Sequence, residues 1–147
     1  MVKGKFFAKK RSLRKGSSMF KEIWISIIIV IIVSVADIVS NNYIKNSVKD
    51  MSVSLNELRY EIEKNEKNAN VIKDKMVDIN QKWRDKNEKL SFYIEHDELE
   101  KVETELYALN ANVDTKDYEQ AIEKIEKCKF ILKHIENKER LSLKNIF

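Results

Sequence analysis

The chain has 147 residues, of which 43% are hydrophobic and 35% charged, and this length leaves room for one small domain beside a membrane segment. That size argues against a multidomain enzyme. The single cysteine, Cys128, excludes an intramolecular disulfide and a multi-cysteine zinc cluster. There is no proline, and the two glycines, Gly4 and Gly16, lie near the N-terminus, so the rest of the chain lacks strong helix breakers and an all-α fold is predicted.

The N-terminal tail, residues 1–22, is strongly basic. It contains eight basic side chains against Glu22 alone, whereas residues 41–147 contain twenty basic and twenty-two acidic ones. The positive-inside rule therefore predicts a cytoplasmic tail and an extracytoplasmic C-terminal region. We expect the tail to contact membrane lipid at about 1 kcal/mol per basic residue, through Lys9, Lys10, Arg11, Arg14 and Lys15. Nucleic acid is not an expected partner, because no fold surrounds Phe6 and Phe7 as stacking residues.

The apolar stretch IWISIIIVIIVSVADIVS, residues 23–40, predicts a transmembrane helix. Seventeen residues from Ile23 to Val39 contain only one charge, Asp37, which meets the lower length limit for crossing a bilayer core of about 30 Å. A signal peptide cleaved after Ala36 is the alternative, since small residues stand at the cleavage site after a basic segment and a short apolar core. We favour the anchor because the Ile and Val run and the helical pattern both continue past Ala36.

Apolar residues downstream of the span recur at helical spacing in four stretches. The first stripe is Ile44, Val48, Met51, Leu55, Leu58 and Ile62, and the second is Ile72, Met76, Ile79, Trp83, Leu90 and Ile94. The third is Leu99, Val102, Leu106 and Leu109, and the fourth is Tyr118, Ala121, Ile122, Ile125, Cys128, Ile131, Leu132 and Ile135. The sequence predicts one N-terminal transmembrane helix that continues into a compact antiparallel bundle of about four helices, residues 41–147. The heptad spacing of the first stripe leaves open whether it pairs within the chain or in a homo-oligomer.

Polar segments predict where these helices meet. The run KNEKNAN, residues 64–70, is the expected first corner, with asparagines supplying the turn chemistry. Asp97 and Glu100 have the spacing of a capping box, which predicts that the third helix begins at residues 96–98. The segment NANVDT, residues 110–115, is expected to close the third helix and cap the fourth.

No residue is assigned a catalytic, cofactor-binding or metal-binding role. Cys128 lies on an apolar helical face, where a cysteine is usually a small buried hydrophobe. His96 and His134 have no paired ligand motif. Neighbouring acids such as Glu103 and Glu105 are more simply a solvated helix face than a general acid and base. Trp83 is best explained as a core anchor, although a tryptophan also lines ligand pockets.

The chain resembles the DUF4363 family in its basic N-terminus, its single apolar span, Trp83, the segment SFYIEHDELEKVE at 91–103 and the ending KFILKHIENKERLSLKNIF. The resemblance covers residues 25–147, and the extension 1–21 is longer than is usual for the family. It implies a small membrane-anchored helical protein of Gram-positive, often spore-forming bacteria, with no established activity. It also implies a polytopic membrane protein partner of the DUF421 family, and hence an accessory subunit.

The side chains considered for interaction or packing are the aromatics Trp83, Phe92 and Tyr93 and the apolar C-terminal residues Leu141, Leu143, Ile146 and Phe147. We expect the C-terminus to fold back on the bundle rather than to meet another surface. The favoured function is a non-enzymatic interaction subunit that docks on a membrane partner. The alternatives are a ligand-sensing bundle with a pocket near Trp83 and Tyr93, and a secreted helical protein if residues 1–36 are cleaved.

Overall fold

The computed structural model describes the backbone of residues 3–64 and 66–144 and the side chains of residues 20–64 and 66–138. These residues form four α-helices: α1, Lys3–Glu63; α2, Ala69–Leu90; α3, His96–Asp114; and α4, Tyr118–Lys144. No strand occurs in this part of the chain, so the predicted all-α fold is confirmed. The chain divides into two compact units, Met1–Val39 and Ser40–Phe147.

Ion pairs between α1 and α2 show that these two helices are antiparallel. Lys75 Nζ lies 3.0 Å from Glu57 Oε2, and Lys86 Nζ lies 2.7 Å from Asp50 Oδ2. Between these levels, Lys82 donates a hydrogen bond of 2.9 Å to the Ser54 hydroxyl. As residue numbers rise along α2, the numbers of their partners on α1 fall.

Each of the remaining helices is also antiparallel to the helix before it. Asn80 Nδ2 on α2 donates to Asn110 Oδ1 on α3 over 3.3 Å, while Lys73 Nζ lies 3.4 Å from Asp114 Oδ1. Lys124 on α4 contacts Glu105 on α3 at 3.0 Å, and Lys138 contacts Glu95 at 2.7 Å. Arg59 on α1 reaches Glu126 on α4 at 2.7 Å. The second unit is therefore an up-down-up-down bundle of residues 40–63, α2, α3 and α4.

One hydrophobic core runs through the bundle and contains the predicted stripes. Every residue of the first three stripes is buried in it, and the fourth contributes Ala121, Ile125, Cys128, Leu132 and Ile135, with Tyr118, Ile122 and Ile131 partly buried against them. The first stripe, Ile44 to Ile62, thus packs within the chain. Burial of these side chains is the main force that holds the four helices together.

The corner between α1 and α2 forms as predicted. Asn68 is the N-cap of α2, and its Oδ1 accepts hydrogen bonds from the backbone N–H groups of Asn70, at 3.1 Å, and Val71, at 3.3 Å. These bonds satisfy two amides that have no partner within the helix.

The predicted capping box at α3 is wrong. The helix begins at His96, within the predicted interval, but its N-cap is Glu95, which makes no side-chain cap hydrogen bond. The Glu95 backbone carbonyl accepts from the N–H groups of Glu98 and Leu99, which places Asp97 inside the first turn instead of before it. Asp97 therefore acts on this helix through the dipole at its N-terminus, and neither Asp97 nor Glu100 has a capping role.

The corner between α3 and α4 differs from the prediction by a few residues. The helix α3 continues through Asn110 to Asp114, and Thr115 is its C-cap. Lys116 then adopts a left-handed conformation with φ of 60°, which reverses the chain. Asp117 Oδ1 accepts from the N–H of Gln120 at 3.2 Å, so Asp117 caps α4, because it is the residue directly before the helix.

Candidate interaction surfaces

The first candidate surface is the apolar part of α1 in the first unit. Within the described residues, one helix, Phe20–Glu63, is long and apolar enough to cross a membrane, and none of its most apolar window is buried. The hydroxyls in this stretch bond to their own helix: Ser26 Oγ donates to the Glu22 carbonyl at 3.0 Å and Ser34 Oγ to the Val30 carbonyl at 2.9 Å. The helix can therefore enter an apolar medium without leaving these hydroxyls unsatisfied.

Trp83 is a residue of the bundle core, and only 4% of it is exposed. It packs in the same cluster as the stripes of the other helices. Its indole Nε1 is buried and has no hydrogen-bond partner among the described residues.

A pocket of about 290 Å³ lies between α2 and α3. It is lined by Asn80, Trp83, Arg84, Glu103, Leu106, Tyr107 and Asn110. Of the two aromatics near which a ligand pocket was considered, Trp83 lines this pocket and Tyr93 does not, and ligand sensing stays a hypothesis. Asn80 and Asn110 already bond to each other across it, which leaves Arg84 and Glu103 as the charged groups at its walls.

The turn between α2 and α3 carries the second surface. Phe92 is 80% exposed and Tyr93 is 48% exposed, while the neighbouring Ile94 is buried. Backbone hydrogen bonds from Tyr93 and Ile94 to the Leu90 carbonyl, both 2.9 Å, fix the turn. Phe92 is thus held out from the bundle by an ordered backbone.

Several predicted interaction residues have no described side chain. Leu141 and Leu143 lie in α4, and the basic residues of the tail, Lys9, Lys10, Arg11, Arg14 and Lys15, lie in α1, but the side chains of both groups are outside the described residues. Ile146 and Phe147 lie outside the described residues altogether. Whether the C-terminus folds back stays a prediction.

The residues with possible chemistry are not brought together. Burial raises the pKa of the Cys128 thiol to about 12, so it is protonated and unreactive at neutral pH. His96 and His134 are exposed, and Glu105 pairs with Lys124. Among the described residues, no group of three or more His, Cys, Asp or Glu side chains could hold a metal ion.

Two features of the surface have no counterpart in the sequence predictions. The first is the set of lysine ion pairs between helices, in which a hydrogen bond from Lys86 lowers the pKa of Asp50. Only the register of the folded helices brings such residues together. The second is Phe130, an exposed aromatic on α4. Its position two residues after Cys128, off the apolar stripe, could have identified it.

Comparison with known proteins places this chain in one family. A family model described as "Domain of unknown function (DUF4363)" matches residues 38–146, about three quarters of the chain. The match begins after most of the apolar stretch, so the resemblance expected from residue 25 is shorter than predicted at its N-terminal end. No curated protein and no solved structure matches.

Proposed function

The chain belongs to the DUF4363 family, whose function is unknown, and we propose that it is a non-enzymatic single-pass membrane protein. In this proposal residues 1–22 are a cytoplasmic tail, residues 23–40 cross the membrane and the bundle works outside the cytoplasm. The bundle serves as an accessory subunit that docks on a membrane partner.

The observation that carries the proposal is the exposure of the apolar part of α1. The large apolar side chains from Ile23 to Val39 are exposed, and none of the described residues covers them. Seventeen helical residues rise about 26 Å, close to the roughly 30 Å of a bilayer core. Since such a surface is strongly unfavourable in water, lipid is the covering that fits its length and composition.

The orientation is proposed from charge. Eight basic residues precede the span, whereas the region after it is nearly balanced. The excess of Lys and Arg on one flank favours retention of the N-terminus in the cytoplasm. The same residues support contact with anionic lipid on that side.

A docking role for the bundle is supported by aromatic side chains that its core does not bury. Phe130 on α4 and Tyr60 on α1 are both largely exposed. Aromatic residues are enriched at the centres of protein interfaces, where they supply a large contact area. The proposed partner is a polytopic membrane protein, and the family resemblance suggests one of the DUF421 family. A homo-oligomer through the same surfaces is the other form of this proposal.

The intact mass of the protein recovered from native membranes tests the anchor. A chain of residues 1–147 that resists alkaline extraction supports the proposal. A soluble chain that begins at Asp37 would contradict it and would identify residues 1–36 as a cleaved signal, which makes the protein a secreted helical bundle.

A ligand-sensing bundle is a second candidate, because the pocket between α2 and α3 offers about 290 Å³ with Arg84 and Glu103 at its walls. A ligand that binds only the folded state raises its stability by mass action. A saturable rise in melting temperature with one class of small molecule, lost in R84A but kept in R59A, would favour this function.

A further inference from the structure

We propose that the turn between α2 and α3 is a second membrane contact, in which Phe92 and Tyr93 insert into the headgroup region of the bilayer. The inference rests on the proposed function, since it requires residues 23–40 to be a retained membrane anchor. It adds an interaction surface within the bundle and commits that surface to lipid.

The helix register places this turn at the end of the bundle where the chain enters it. Lys86 on α2 pairs with Asp50 on α1 at 2.7 Å. From that level, α2 continues four residues to Leu90, and antiparallel α1 returns the same distance toward Ser40. Ile44 and Ile94, near this end of their segments, are both buried in the bundle core. The turn is therefore level with the first residues of the second unit.

Ser40 is bonded directly to Val39, the last residue of the apolar run. The rise from Ser40 to Ile44 is about 6 Å at 1.5 Å per residue. The polar layer on each side of a bilayer core is about 5 to 7 Å thick. If the run crosses the membrane, the peptide chain therefore enters this end of the bundle within about one headgroup layer of the bilayer core.

The composition of the turn fits the headgroup region of a bilayer better than it fits bulk water. Phe92, at 80% exposed, is the most exposed large hydrophobic side chain among the described residues. Its neighbour Tyr93 combines an apolar ring with a hydroxyl, and such aromatics are enriched at headgroup level. Because backbone hydrogen bonds to Leu90 hold the turn, presenting these rings to lipid requires no refolding.

Charge is not the driving force at this site. Glu88 and Lys89 flank the turn on one side, and the Glu95 carboxylate is paired with Lys138 at 2.7 Å on the other. Both signs are present close together, which gives little net attraction to anionic lipid. The proposed contact is therefore apolar, and vesicles or nanodiscs of phosphatidylcholine alone are a sufficient probe.

The test uses the full-length protein in phosphatidylcholine nanodiscs that contain lipid with a nitroxide at headgroup level. A fluorescent maleimide is attached to K89C, which leaves Phe92 and Tyr93 in place. In the matched control it is attached to K67C, which replaces an exposed lysine two residues before the other end of α2. The two positions are about 30 Å apart along the bundle at the helical rise per residue. Cys128 is buried and does not compete for the label, as the unmodified protein will show.

We expect the label at K89C to be quenched at least about twofold more than the label at K67C, because only the former lies near the interface. The substitutions F92S and Y93S in the K89C protein should lower its quenching, because they remove the side chains proposed to insert into the bilayer. Equal quenching at K89C and K67C would overturn the inference, and so would quenching unchanged by the two serines. Shielding of the K89C label that appears only when another protein is added would also overturn the inference, because it would indicate a protein contact in place of a lipid contact.

A third label, at V30C, separates this inference from the proposed function. If lipids with a nitroxide in the acyl chain quench the V30C label, but the K89C and K67C labels are quenched equally by the headgroup nitroxide, the inference is wrong and the membrane anchor is still supported. A V30C label that is not quenched contradicts both.

Discussion

Lys86 Nζ lies 2.7 Å from Asp50 Oδ2, and this contact connects α2 to the part of α1 that belongs to the bundle. Lys75 with Glu57 repeats the contact farther along the two helices. Together the two pairs fix the direction and register of α2 against α1. The position of Phe92, in the turn after α2, relative to the first residues of the bundle follows from that register.

The Asp50 to Lys86 pair should make stability depend on pH. The hydrogen bond from Lys86 lowers the pKa of Asp50 below its usual value of 3.8. Its contribution is therefore present above pH 3.8 and lost as the pH falls through the lowered pKa. Because the Asp50 carboxylate is about half exposed, D50N should cost no more than about 1 kcal/mol at pH 7.

Unfolding of the detergent-solubilised protein followed by circular dichroism in steps from pH 7 to pH 2 measures this effect. D74N, at an exposed aspartate on α2, serves as the matched control and should change stability little over this range. A cost for D50N that does not fall as the pH is lowered over this range would contradict the electrostatic explanation.

Truncation of the first stripe should show that it packs inside the chain. Leu55 is fully buried, whereas Val53, two residues away on the same helix, is 47% exposed. We expect L55A to lower the free energy of unfolding by about 2 to 5 kcal/mol and V53A by less than about 1 kcal/mol. Denaturant titration of both variants gives the comparison. An L55A cost as small as that of V53A would contradict the assignment of the stripe to the core.

The thiol of Cys128 should be inert in the folded protein. Burial raises its pKa to about 12, so almost no thiolate is present at pH 8. A thiol reagent should therefore modify the native protein very slowly at pH 8 and modify it stoichiometrically after unfolding in guanidinium chloride. The exposed K67C variant is the control for reagent activity. Fast modification of the native wild-type protein would contradict a buried position.

The N-cap assignments predict that substitution of Asn68 and substitution of Asp97 destabilise the bundle by different amounts. Asn68 Oδ1 holds two free amides of α2, so N68A should destabilise the bundle by about 0.5 to 2 kcal/mol, and N68G by only a few tenths of a kcal/mol. D97A removes only an interaction with the helix dipole, worth about 0.3 to 1 kcal/mol. Thermal unfolding of the three variants distinguishes these values. A larger loss for D97A than for N68A would restore Asp97 as a cap.

The helices themselves could be predicted because apolar periodicity is a local property of the sequence. All residues from Ile44 to Ile62 in the first stripe are buried as that pattern predicts. Asn68 could be predicted as a turn residue because the preference of asparagine for turns is also a local property of the sequence. In a chain with no proline and with no glycine after Gly16, the polar runs between stripes were the remaining local markers of helix ends.

The parts that could not be predicted depend on which residues meet in three dimensions. Asp97 has the sequence spacing of a cap, but the Leu90 carbonyl holds the preceding turn and delivers the chain into α3 at Glu95. The pocket between α2 and α3 likewise needs the register that brings Asn80 to Asn110. A heptad stripe alone does not distinguish packing within a chain from pairing between chains, and only the contacts of Leu55 and its neighbours resolve it.

We propose that this protein is an anchored subunit of a membrane assembly. Purification of the tagged full-length protein from its native membranes in mild detergent, followed by intact masses of everything that elutes, tests this proposal most directly. We expect an uncut chain of residues 1–147 to elute together with a stoichiometric amount of a polytopic membrane protein. A chain that elutes alone and begins at Asp37 would contradict it.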